Sequence, residues 1–424
     1  DRANERRLLV LAGDRDRGLD AARGACAPFD AVTVVTTRDG TGDADRLHPD
    51  HADRLLGTTR EAVVCDCHEA FSANVLGRVV GAVDGGGLLV LVTPPLDAWP
   101  GPDYADERLA VPPFTRADVT GHFRRRLVDT LRTHPGVAVV DVDADVVERE
   151  GLTDPPPARP TSAPSRPTAA DAAFPPEAYD ACLTPDQTEA LWALERLRKG
   201  DAVVVEADRG RGKSAAAGLA AGSLAAAGRD VLVTAPAYRN AAEVFERAEA
   251  LLTALGRLER HDGDRHVLTA TGDGRVRFLP PARAVALPDD PDAVVVDEAA
   301  ALSVRRLTAF LDAPAVAFVT TVHGYEGTGR GFDVRFRDHL AESDRTVTDV
   351  RLDDPIRYAA GDPVEVWAFR ALLLDARPAA DQLVADATPA DATYRTLDAA
   401  DLVADEHLLR EAFGLLVLAH YRTE

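Results

Sequence analysis

The sequence predicts an α/β protein in which a Rossmann-like parallel-sheet domain is followed by a P-loop ATPase domain. Segments with strand-like and helix-like periodicity alternate over residues 1–152, which is the pattern of βαβ units and of a parallel sheet covered by helices. Residues 153–176 contain eight prolines and few large apolar side chains, so they predict a linker. An apolar run, a glycine-rich turn and an alanine-rich helix follow over residues 202–227, which is the arrangement of a phosphate-binding loop.

The first domain is expected to hold five parallel strands connected by helices. We predict strands at Arg7–Ala12, Ala31–Thr36, Glu61–Cys67, Leu88–Thr93 and Val137–Val142, with helices at Asp16–Ala27, Ala70–Val83 and Arg116–Thr133. The turn after the first strand, residues 13–16, lacks the glycine spacing of a dinucleotide-binding loop. We therefore interpret this domain as an α/β module that binds no nucleotide.

Two polar clusters in the first domain are interpreted as structural. Cys65 and Cys67 lie on one face of a predicted strand, next to His68, and no second pair of metal ligands occurs elsewhere in the chain. A structural role is therefore favoured over a metal site. Arg124–Arg126 form the basic cluster of the domain, for which a solvated helix face is favoured over contact with RNA.

Acidic residues dominate the charge of the chain. Its 70 Asp and Glu residues outnumber 48 Lys and Arg, which gives a net charge of −22, and only Lys199 and Lys213 are lysine. This composition resembles that of proteins from extremely halophilic archaea, and in molar salt the Debye length falls to ~3 Å, so the acidity does not exclude an RNA partner. The chain shows no membrane-spanning run and no signal-peptide pattern, and its four irregularly spaced cysteines favour a cytoplasmic location.

A glycine-rich turn between a strand and a helix is the clearest ligand signal in the chain. Residues 207–214 read Ala-Asp-Arg-Gly-Arg-Gly-Lys-Ser, with Ala207 in place of the first glycine of the G-x-x-x-x-G-K-[ST] pattern. The backbone N–H groups of such a turn bind phosphates at a helix N-terminus, Lys213 reaches the outer phosphates, and Ser214 contacts Mg²⁺. The turn therefore predicts a nucleoside triphosphate with Mg²⁺ as the ligand.

A buried strand that ends in two carboxylates supplies the second half of the expected site. Residues 293–296 are apolar without alternation, as in a strand covered on both faces, and Asp297 and Glu298 follow directly. We expect Asp297 to hold Mg²⁺ together with Ser214, and Glu298 to polarise the water that attacks the γ-phosphate. The alternative is a strand that happens to end in a solvated acidic pair.

Three further features are predicted to lie near the nucleotide. Gln187 has an amide suited to reading adenine, although a surface glutamine is the simpler interpretation of that residue alone. Thr320 and Thr321 end a strand-like segment where helicase-like ATPases couple the state of the γ-phosphate to substrate binding. Arg330 lies in a glycine-rich loop at the expected ligand edge of the sheet and suits an arginine finger, with a non-catalytic surface loop as the alternative.

Three segments together resemble the family of tRNA(Met) cytidine acetyltransferases. They are residues 209–214 (RGRGKS), 297–301 (DEAAA) and 320–332 (TTVHGYEGTGRGF). The last of them, a long glycine-rich loop, is highly specific, and the P-loop variant that begins with Ala207 is also typical of this family. Similar stretches at residues 83–94, 355–357 and 419–423 extend the resemblance over essentially the whole chain.

The resemblance implies an RNA-modifying enzyme with a RecA-like helicase module. Members of the family form N4-acetylcytidine in RNA, typically at the wobble position of tRNA(Met), from acetyl-CoA with hydrolysis of ATP or GTP. The transfer is carried out by a GNAT acetyltransferase domain, and an RNA-binding tail follows it. By resemblance, the residues that bind ATP are Gln187, Arg209, Gly210, Arg211, Gly212, Lys213, Ser214, Ala215 and Arg330.

The resemblance also suggests where the domains lie. We expect the N-terminal domain over residues 1–152, the RecA-like ATPase module over 177–375, and a connector with the start of a truncated GNAT domain over 376–424. No acetyl-CoA loop of the pattern [QR]-x-x-G-x-[GA] follows Arg330, so this chain is expected to hydrolyse ATP and bind RNA, with tRNA(Met) as the first candidate, but not to transfer acetyl groups by itself. A free-standing P-loop ATPase that remodels nucleic acid is the alternative.

Overall fold

The computed structural model describes residues 3–39, 44–55, 58–152, 172–208, 210–321, 336–376 and 387–419. The chain divides into two compact units, and the first of them is discontinuous in sequence. It combines the described parts of Asp1–Pro160 with those of Arg357–His420, while the second lies within Thr161–Ile356. None of the helices in the described ranges has both the length and the apolar composition that crossing a membrane requires.

The strands, in chain order, are β1 Arg7–Ala12, β2 Val32–Val35, β3 Asp45–Leu47, β4 Arg60–Asp66, β5 Val83–Thr93, β6 Val137–Asp141, β7 Val146–Arg149, β8 Asp201–Ala207, β9 Asp230–Thr234, β10 Leu258–Asp262, β11 Val267–Ala270, β12 Arg275–Phe278, β13 Ala293–Val296, β14 Val316–Thr321 and β15 Thr346–Leu352.

The α-helices are α1 Arg15–Cys26, α2 Ala73–Val80, α3 His122–Thr133, α4 Pro176–Asp180, α5 Pro185–Glu195, α6 Lys213–Ala226, α7 Tyr238–Ala254, α8 Pro281–Ala284, α9 Val304–Ala309, α10 Arg337–Ala341, α11 Pro363–Leu372, α12 Ala399–Ala404 and α13 Glu406–Ala419. Short 3₁₀ helices occur at Pro49–Leu55, Pro102–Tyr104, Glu107–Leu109, Arg116–Asp118, Ala299–Ala301, Phe310–Asp312 and Pro389–Asp391.

The sheet of the first unit confirms the predicted parallel arrangement. Its strand order is β3-β2-β4-β5-β1-β6-β7, and all neighbours are parallel except β6 and β7. The five predicted strands are present within a few residues of their expected bounds, and the structure adds the edge strands β3 and β7. Helix α3 begins at His122 rather than at Arg116, because residues 116–118 form a separate 3₁₀ turn. Helix α2 begins at Ala73, after Ser72, whose hydroxyl accepts a hydrogen bond from the backbone N–H of Val75.

Residues Cys65–Cys67 are buried in the first unit, and His68 follows them. Both thiols are buried and form no disulfide, with their sulfur atoms 4.0 Å apart, and the described ranges contain no cluster of three or more His, Cys, Asp or Glu side chains that could hold a metal ion. The carboxylate of Asp66 accepts hydrogen bonds from Arg15 at 2.5 Å and from Thr36 at 2.6 Å. Burial raises the pKa of Asp66, but hydrogen bonds from His68, Arg15 and Thr36 outweigh it and lower this pKa to about 2.

Replacement of Asp66 by asparagine is expected to lower the free energy of unfolding by about 3 kcal/mol, because the largely buried Arg15 loses its buried anionic partner and keeps only the exposed Glu69. Folding lowers the pKa of Asp66 from its ordinary value of about 4, so its contribution is complete above about pH 4 and disappears as the pH falls toward 2. Urea unfolding at several pH values between about 2 and 4 and at neutral pH measures both the loss of stability in the variant and the pH dependence in the wild type. Asp16→Asn, at an exposed position on α1, is the control, and equal stability of the two variants would contradict the account.

The segment that carries α11 packs in the core of the first unit. Trp367 on α11 is fully buried in this core, and its indole N–H donates to the Thr130 hydroxyl at 3.2 Å. Asp362, which caps α11, forms a buried ion pair with Arg6 at 2.8 Å. Because these contacts join residues more than two hundred positions apart, no local sequence pattern encodes them.

The second unit contains an eight-stranded sheet in the order β10-β11-β12-β9-β13-β14-β8-β15. The pairs β10–β11 and β11–β12 are antiparallel, and all other neighbours are parallel. Both faces of the sheet are covered, since Val203 and Val205 of β8 belong to one apolar cluster and Ala202 and Val204 to another. This explains why the central strands are continuous apolar runs.

The second unit includes packed residues that precede α4. Residues 153–171 of the predicted linker lie outside the described residues, but Phe174 is buried in the core of this unit. The backbone N–H of Phe174 donates to the buried carboxylate of Glu195 at 3.0 Å, and the Tyr179 hydroxyl donates to the same group at 2.5 Å. The last residues of the expected linker therefore belong to the packed unit.

Candidate functional site

The glycine-rich turn leads from β8 into α6, as the sequence predicts. Gly210 and Gly212 adopt positive φ angles of 78° and 83°, which favour glycine. Gly212 is also the N-cap of α6, and no side chain caps this helix end. A side chain at position 212 would place its Cβ 2.0 Å from the amide nitrogen of Gln187. The turn therefore requires glycine here both for its backbone conformation and for space.

Two hydrogen bonds from other segments support the backbone of this turn. The Ile356 N–H donates to the Gly210 carbonyl at 3.0 Å, and the Gln187 side-chain amide donates to the Gly212 carbonyl at 3.1 Å. The Gln187 carbonyl oxygen accepts from the Leu183 N–H at 2.7 Å, and only 1% of the residue is exposed. The simpler interpretation of Gln187 as a surface residue is therefore wrong.

Asp186, the residue before Gln187, makes hydrogen bonds that were not predicted from the sequence. The carboxylate of Asp186, in the first turn of α5, accepts hydrogen bonds from the backbone N–H groups of Asp353 at 2.7 Å and Asp354 at 2.8 Å. These residues follow β15 and lie just before Ile356. The N-terminus of α5 is thus held to the same segment that contacts Gly210.

Ser214 and Asp297 meet at the ends of α6 and β13, as expected for a shared Mg²⁺ site. The Ser214 hydroxyl donates to Asp297 Oδ1 at 3.2 Å, and Asp297 is fully buried. Its second oxygen, Oδ2, is also buried and has no hydrogen-bond partner among the described residues. Burial raises the pKa of Asp297 to about 6. Hydroxyl and carboxylate oxygens are the ligands that Mg²⁺ prefers, so this donor set fits the ion.

Lys213 and Glu298 form an ion pair beside this position. The Lys213 ammonium lies 2.9 Å from Glu298 Oε1, and the Thr321 hydroxyl donates to Glu298 Oε2 at 3.2 Å. Glu298 has a left-handed backbone conformation with φ 48° and ψ 45°, which costs a non-glycine residue roughly 1 kcal/mol. The neighbouring fold therefore holds this carboxylate at the end of β13 against a local conformational preference.

The strand order explains why these groups converge. Strand β14 lies between β8 and β13, and the three strands are parallel, so their carboxyl ends share one edge of the sheet. Thr321 therefore lies between the turn after β8 and the carboxylates after β13. The Thr320 hydroxyl accepts a hydrogen bond from the Ala300 N–H at 3.3 Å and so orders the turn that follows Glu298.

Not every predicted site residue is placed by the structure. Arg209 and Arg330, with the glycine-rich loop at residues 322–335, lie outside the described residues. Arg211 and Ala215 are each only 5% exposed. The structure brings together Gln187, Gly210, Gly212, Lys213, Ser214, Asp297 and Glu298.

Two family models match the chain. The model for the N-terminal domain of tRNA(Met) cytidine acetyltransferase TmcA matches residues 1–142, and the model for the helicase domain of RNA cytidine acetyltransferase NAT10/TcmA matches residues 204–375. The chain belongs to the TmcA family. The two matched regions of this family include every candidate site residue in the ATPase unit except Gln187, which precedes the helicase match.

Curated relatives in the TmcA family support the assignment. The tRNA(Met) cytidine acetyltransferase TmcA of Haloferax volcanii is 65% identical and aligns with 99% of this chain and 56% of its own length. The enzyme of the same name from Haloarcula marismortui is 62% identical over 100% of this chain and 55% of its own. The Pyrococcus abyssi TmcA is 36% identical over 87% of this chain and 46% of its own length. The chain thus spans about half the length of the curated relatives it matches.

Among solved structures, the large terminase from a thermophilic bacteriophage is 13% identical, covers 45% of this chain and 50% of its own, and has a TM-score of 0.32. This score is too low to indicate a shared overall fold.

Proposed function

We propose that this chain is the ATP-hydrolysing, RNA-helicase-like part of an RNA cytidine acetyltransferase. The observation that carries the proposal is the meeting of Lys213, Ser214, Asp297 and Glu298 at one edge of the sheet in the second unit. Phosphate-binding N–H groups, a cation for the outer phosphates, oxygen ligands for a metal ion and a carboxylate for water are the parts that hydrolysis of a nucleoside triphosphate requires. ATP is the proposed substrate, with GTP as the alternative.

Each residue has a distinct proposed role in hydrolysis. Ser214 and Asp297 would hold Mg²⁺, which neutralises charge on the β- and γ-phosphates when bound. Lys213 would leave Glu298 and bind the outer phosphates. Glu298, released from that ion pair and still held by Thr321, would then orient the attacking water and accept its proton. Arg330 would stabilise the charge that develops on the γ-phosphate.

Gln187 is proposed to position the phosphate-binding turn in addition to reading adenine. Gln187→Ala is expected to weaken ATP and GTP binding about tenfold, because the Gly212 carbonyl loses its donor. The substitution should also abolish any preference for ATP over GTP. Calorimetric titration with both nucleotides tests this, with the exposed Glu189→Ala on the same helix as control. Wild-type affinity of the Gln187 variant for both nucleotides would contradict a supporting role.

The RNA substrate and the acetyl transfer are proposed from the family. We propose that the RecA-like module acts on RNA, first of all tRNA(Met), in the cytoplasm, and that a GNAT domain outside this chain binds acetyl-CoA. The relatives named tRNA(Met) cytidine acetyltransferase, of which this chain spans 56% or less, support this proposal. The high Asp content of a chain with net charge −22 supports function in concentrated salt.

A protein extended to the full length of these relatives is expected to form N4-acetylcytidine in tRNA from acetyl-CoA and ATP, whereas residues 1–424 alone should not. Liquid chromatography with mass spectrometry of digested tRNA measures the product. Absence of N4-acetylcytidine with the longer protein, together with unwinding of plain duplexes by residues 1–424, would favour a free-standing ATPase that remodels nucleic acid.

A further inference from the structure

The start of α5 directs two consecutive side chains to two different segments of the second unit. Thr184 caps the helix, since its hydroxyl accepts a hydrogen bond from the Gln187 N–H at 3.2 Å, and Pro185 occupies the first helical position. Asp186 and Gln187 follow and point about 100° apart around the helix axis. Gln187 binds the carbonyl of Gly212 in the phosphate-binding turn, whereas Asp186 binds the backbone of the segment after β15.

The segment after β15 connects Asp186 to the other glycine of the turn. One oxygen of Asp186, Oδ2, accepts hydrogen bonds from the backbone N–H groups of residues 353 and 354 at 2.7 and 2.8 Å. Pro355 follows, and proline fixes its own φ angle and restricts the residue before it to extended conformations. The next N–H group, that of Ile356, donates to the Gly210 carbonyl at 3.0 Å. A short and stiff stretch of backbone therefore joins the two contacts.

The hydrogen bond from Ile356 sets the orientation of the peptide between Gly210 and Arg211. Gly210 has a φ angle of 78°, and because glycine has no Cβ, its backbone restricts this peptide less than another residue would. In a trans peptide the C=O and N–H groups point in opposite directions, so a donor that holds the Gly210 carbonyl also fixes the direction of the Arg211 N–H. Backbone N–H groups are what a turn of this kind presents to phosphates.

Acidic side chains lie close together around Asp186. Burial and the charge of Asp186 raise the pKa of Asp354, whereas the charge of Arg211 lowers it. The carboxylate of Asp353 pairs with Arg351 at 2.8 Å. The negative charge of Asp186 is unfavourable to its neighbour Asp354, so the benefit of Asp186 lies in the oxygen that accepts two hydrogen bonds.

We propose that Asp186 is a positioning residue for the binding of a nucleoside triphosphate, acting through Ile356 on the Gly210 carbonyl and so directing the Arg211 N–H toward the phosphates. The inference rests on the proposed hydrolysis of ATP and adds to it a residue outside the phosphate-binding turn. A backbone N–H that holds the phosphates alike before and during the reaction contributes equally to ground-state and transition-state binding. Its loss should therefore raise KM and leave kcat nearly unchanged.

Steady-state hydrolysis of ATP by the 424-residue chain, in multimolar KCl with Mg²⁺, separates the two constants. Asp186→Ala should raise KM about tenfold, because two backbone N–H groups lose their acceptor, and should leave kcat within about twofold of the wild type. Asp186→Asn should keep the wild-type KM, since the amide oxygen can accept both hydrogen bonds. Glu177→Ala is the matched control, because Glu177 is exposed and also occupies the second helical position after a proline, in α4. This control should behave as the wild type.

A double variant tests whether Asp186 acts through residue 356. Ile356→Pro removes the N–H that binds Gly210 and should raise KM as much as Asp186→Ala does. If both substitutions break the same connection, the double variant should have no higher KM than the worse of the two single variants. Thermal unfolding checks that each variant is folded under the assay conditions.

A wild-type KM in Asp186→Ala would overturn the proposal, and so would additive losses in the double variant. Equal losses in the alanine and asparagine variants would also overturn it, because the charge at the helix N-terminus would then be responsible. A fall in kcat at unchanged KM would contradict a role in phosphate binding. A wild-type chain that hydrolyses no ATP would overturn the proposed function together with this inference, whereas the other outcomes leave that function intact.

Discussion

Glu298→Gln is expected to lower the rate of ATP hydrolysis by about 10²- to 10⁴-fold, the range typical of losing a general base. The amide cannot accept the proton of the attacking water, although it can keep the hydrogen bond from Thr321. The same change should tighten ATP binding roughly two- to fivefold, because Lys213 no longer has to leave a carboxylate 2.9 Å away. Phosphate release gives the rate, and calorimetric titration in the presence of Mg²⁺ gives the affinity.

Thr321→Val is the companion variant for this prediction. It removes one hydrogen bond to Glu298 and leaves the carboxylate in place, so we expect a smaller loss of rate and little change in ATP affinity. A Glu298→Gln protein that hydrolyses ATP at the wild-type rate would contradict the assignment of Glu298 as the base. Loss of ATP binding in the same protein would show that Glu298 supports the site rather than the chemical step.

Gly212→Ala is expected to weaken ATP binding about a hundredfold, the combined result of a left-handed backbone at a non-glycine residue and of overpacking. The φ angle at this position is 83°, and the added Cβ would lie 2.0 Å from the Gln187 amide nitrogen. Either the turn or Gln187 must move, and both support the phosphate-binding N–H groups. Calorimetric titration measures the loss, and thermal unfolding checks that the sheet remains intact.

Gly210→Ala provides a matched control for the effect of space. Its φ angle is 78°, close to that of Gly212, but a Cβ at this position would meet no atom within 4 Å. It should therefore show only the backbone cost, about a tenfold loss of affinity. Equal losses at the two positions would mean that the contact between Gly212 and Gln187 has no part in shaping the turn.

The sequence alone was sufficient to predict the strands and helices that carry strong local patterns. Strand β13 could be predicted because four apolar residues without alternation require burial on both faces. The meeting of Lys213, Ser214, Asp297 and Glu298 could be predicted because these residues follow the turn after β8 or the end of β13, and parallel strands bring their ends to one edge. The edge strand β15 was missed, since its charged and apolar residues alternate weakly and its place beside β8 depends on long-range pairing.

The supporting contacts of the site could not be predicted from local patterns. Gln187 binds the carbonyl of Gly212, and Asp186 binds the backbone at residues 353–354, more than 160 positions away. Polar side chains that bind backbone groups leave no periodicity in the sequence, because any accessible carbonyl or N–H serves as a partner. The packing of α11 in the first unit could not be predicted for the same reason. It depends on a buried ion pair between Arg6 and Asp362, which are far apart in the sequence.

Stimulation of ATP hydrolysis by RNA tests the central claim most directly. The 424-residue chain is assayed for phosphate release in multimolar KCl with Mg²⁺, with and without tRNA, beside the Lys213→Ala and Glu298→Gln variants. We predict measurable ATP hydrolysis that tRNA accelerates and that each of the two substitutions lowers by about a hundredfold or more. Hydrolysis that tRNA leaves unchanged, or that persists in both variants, would contradict it.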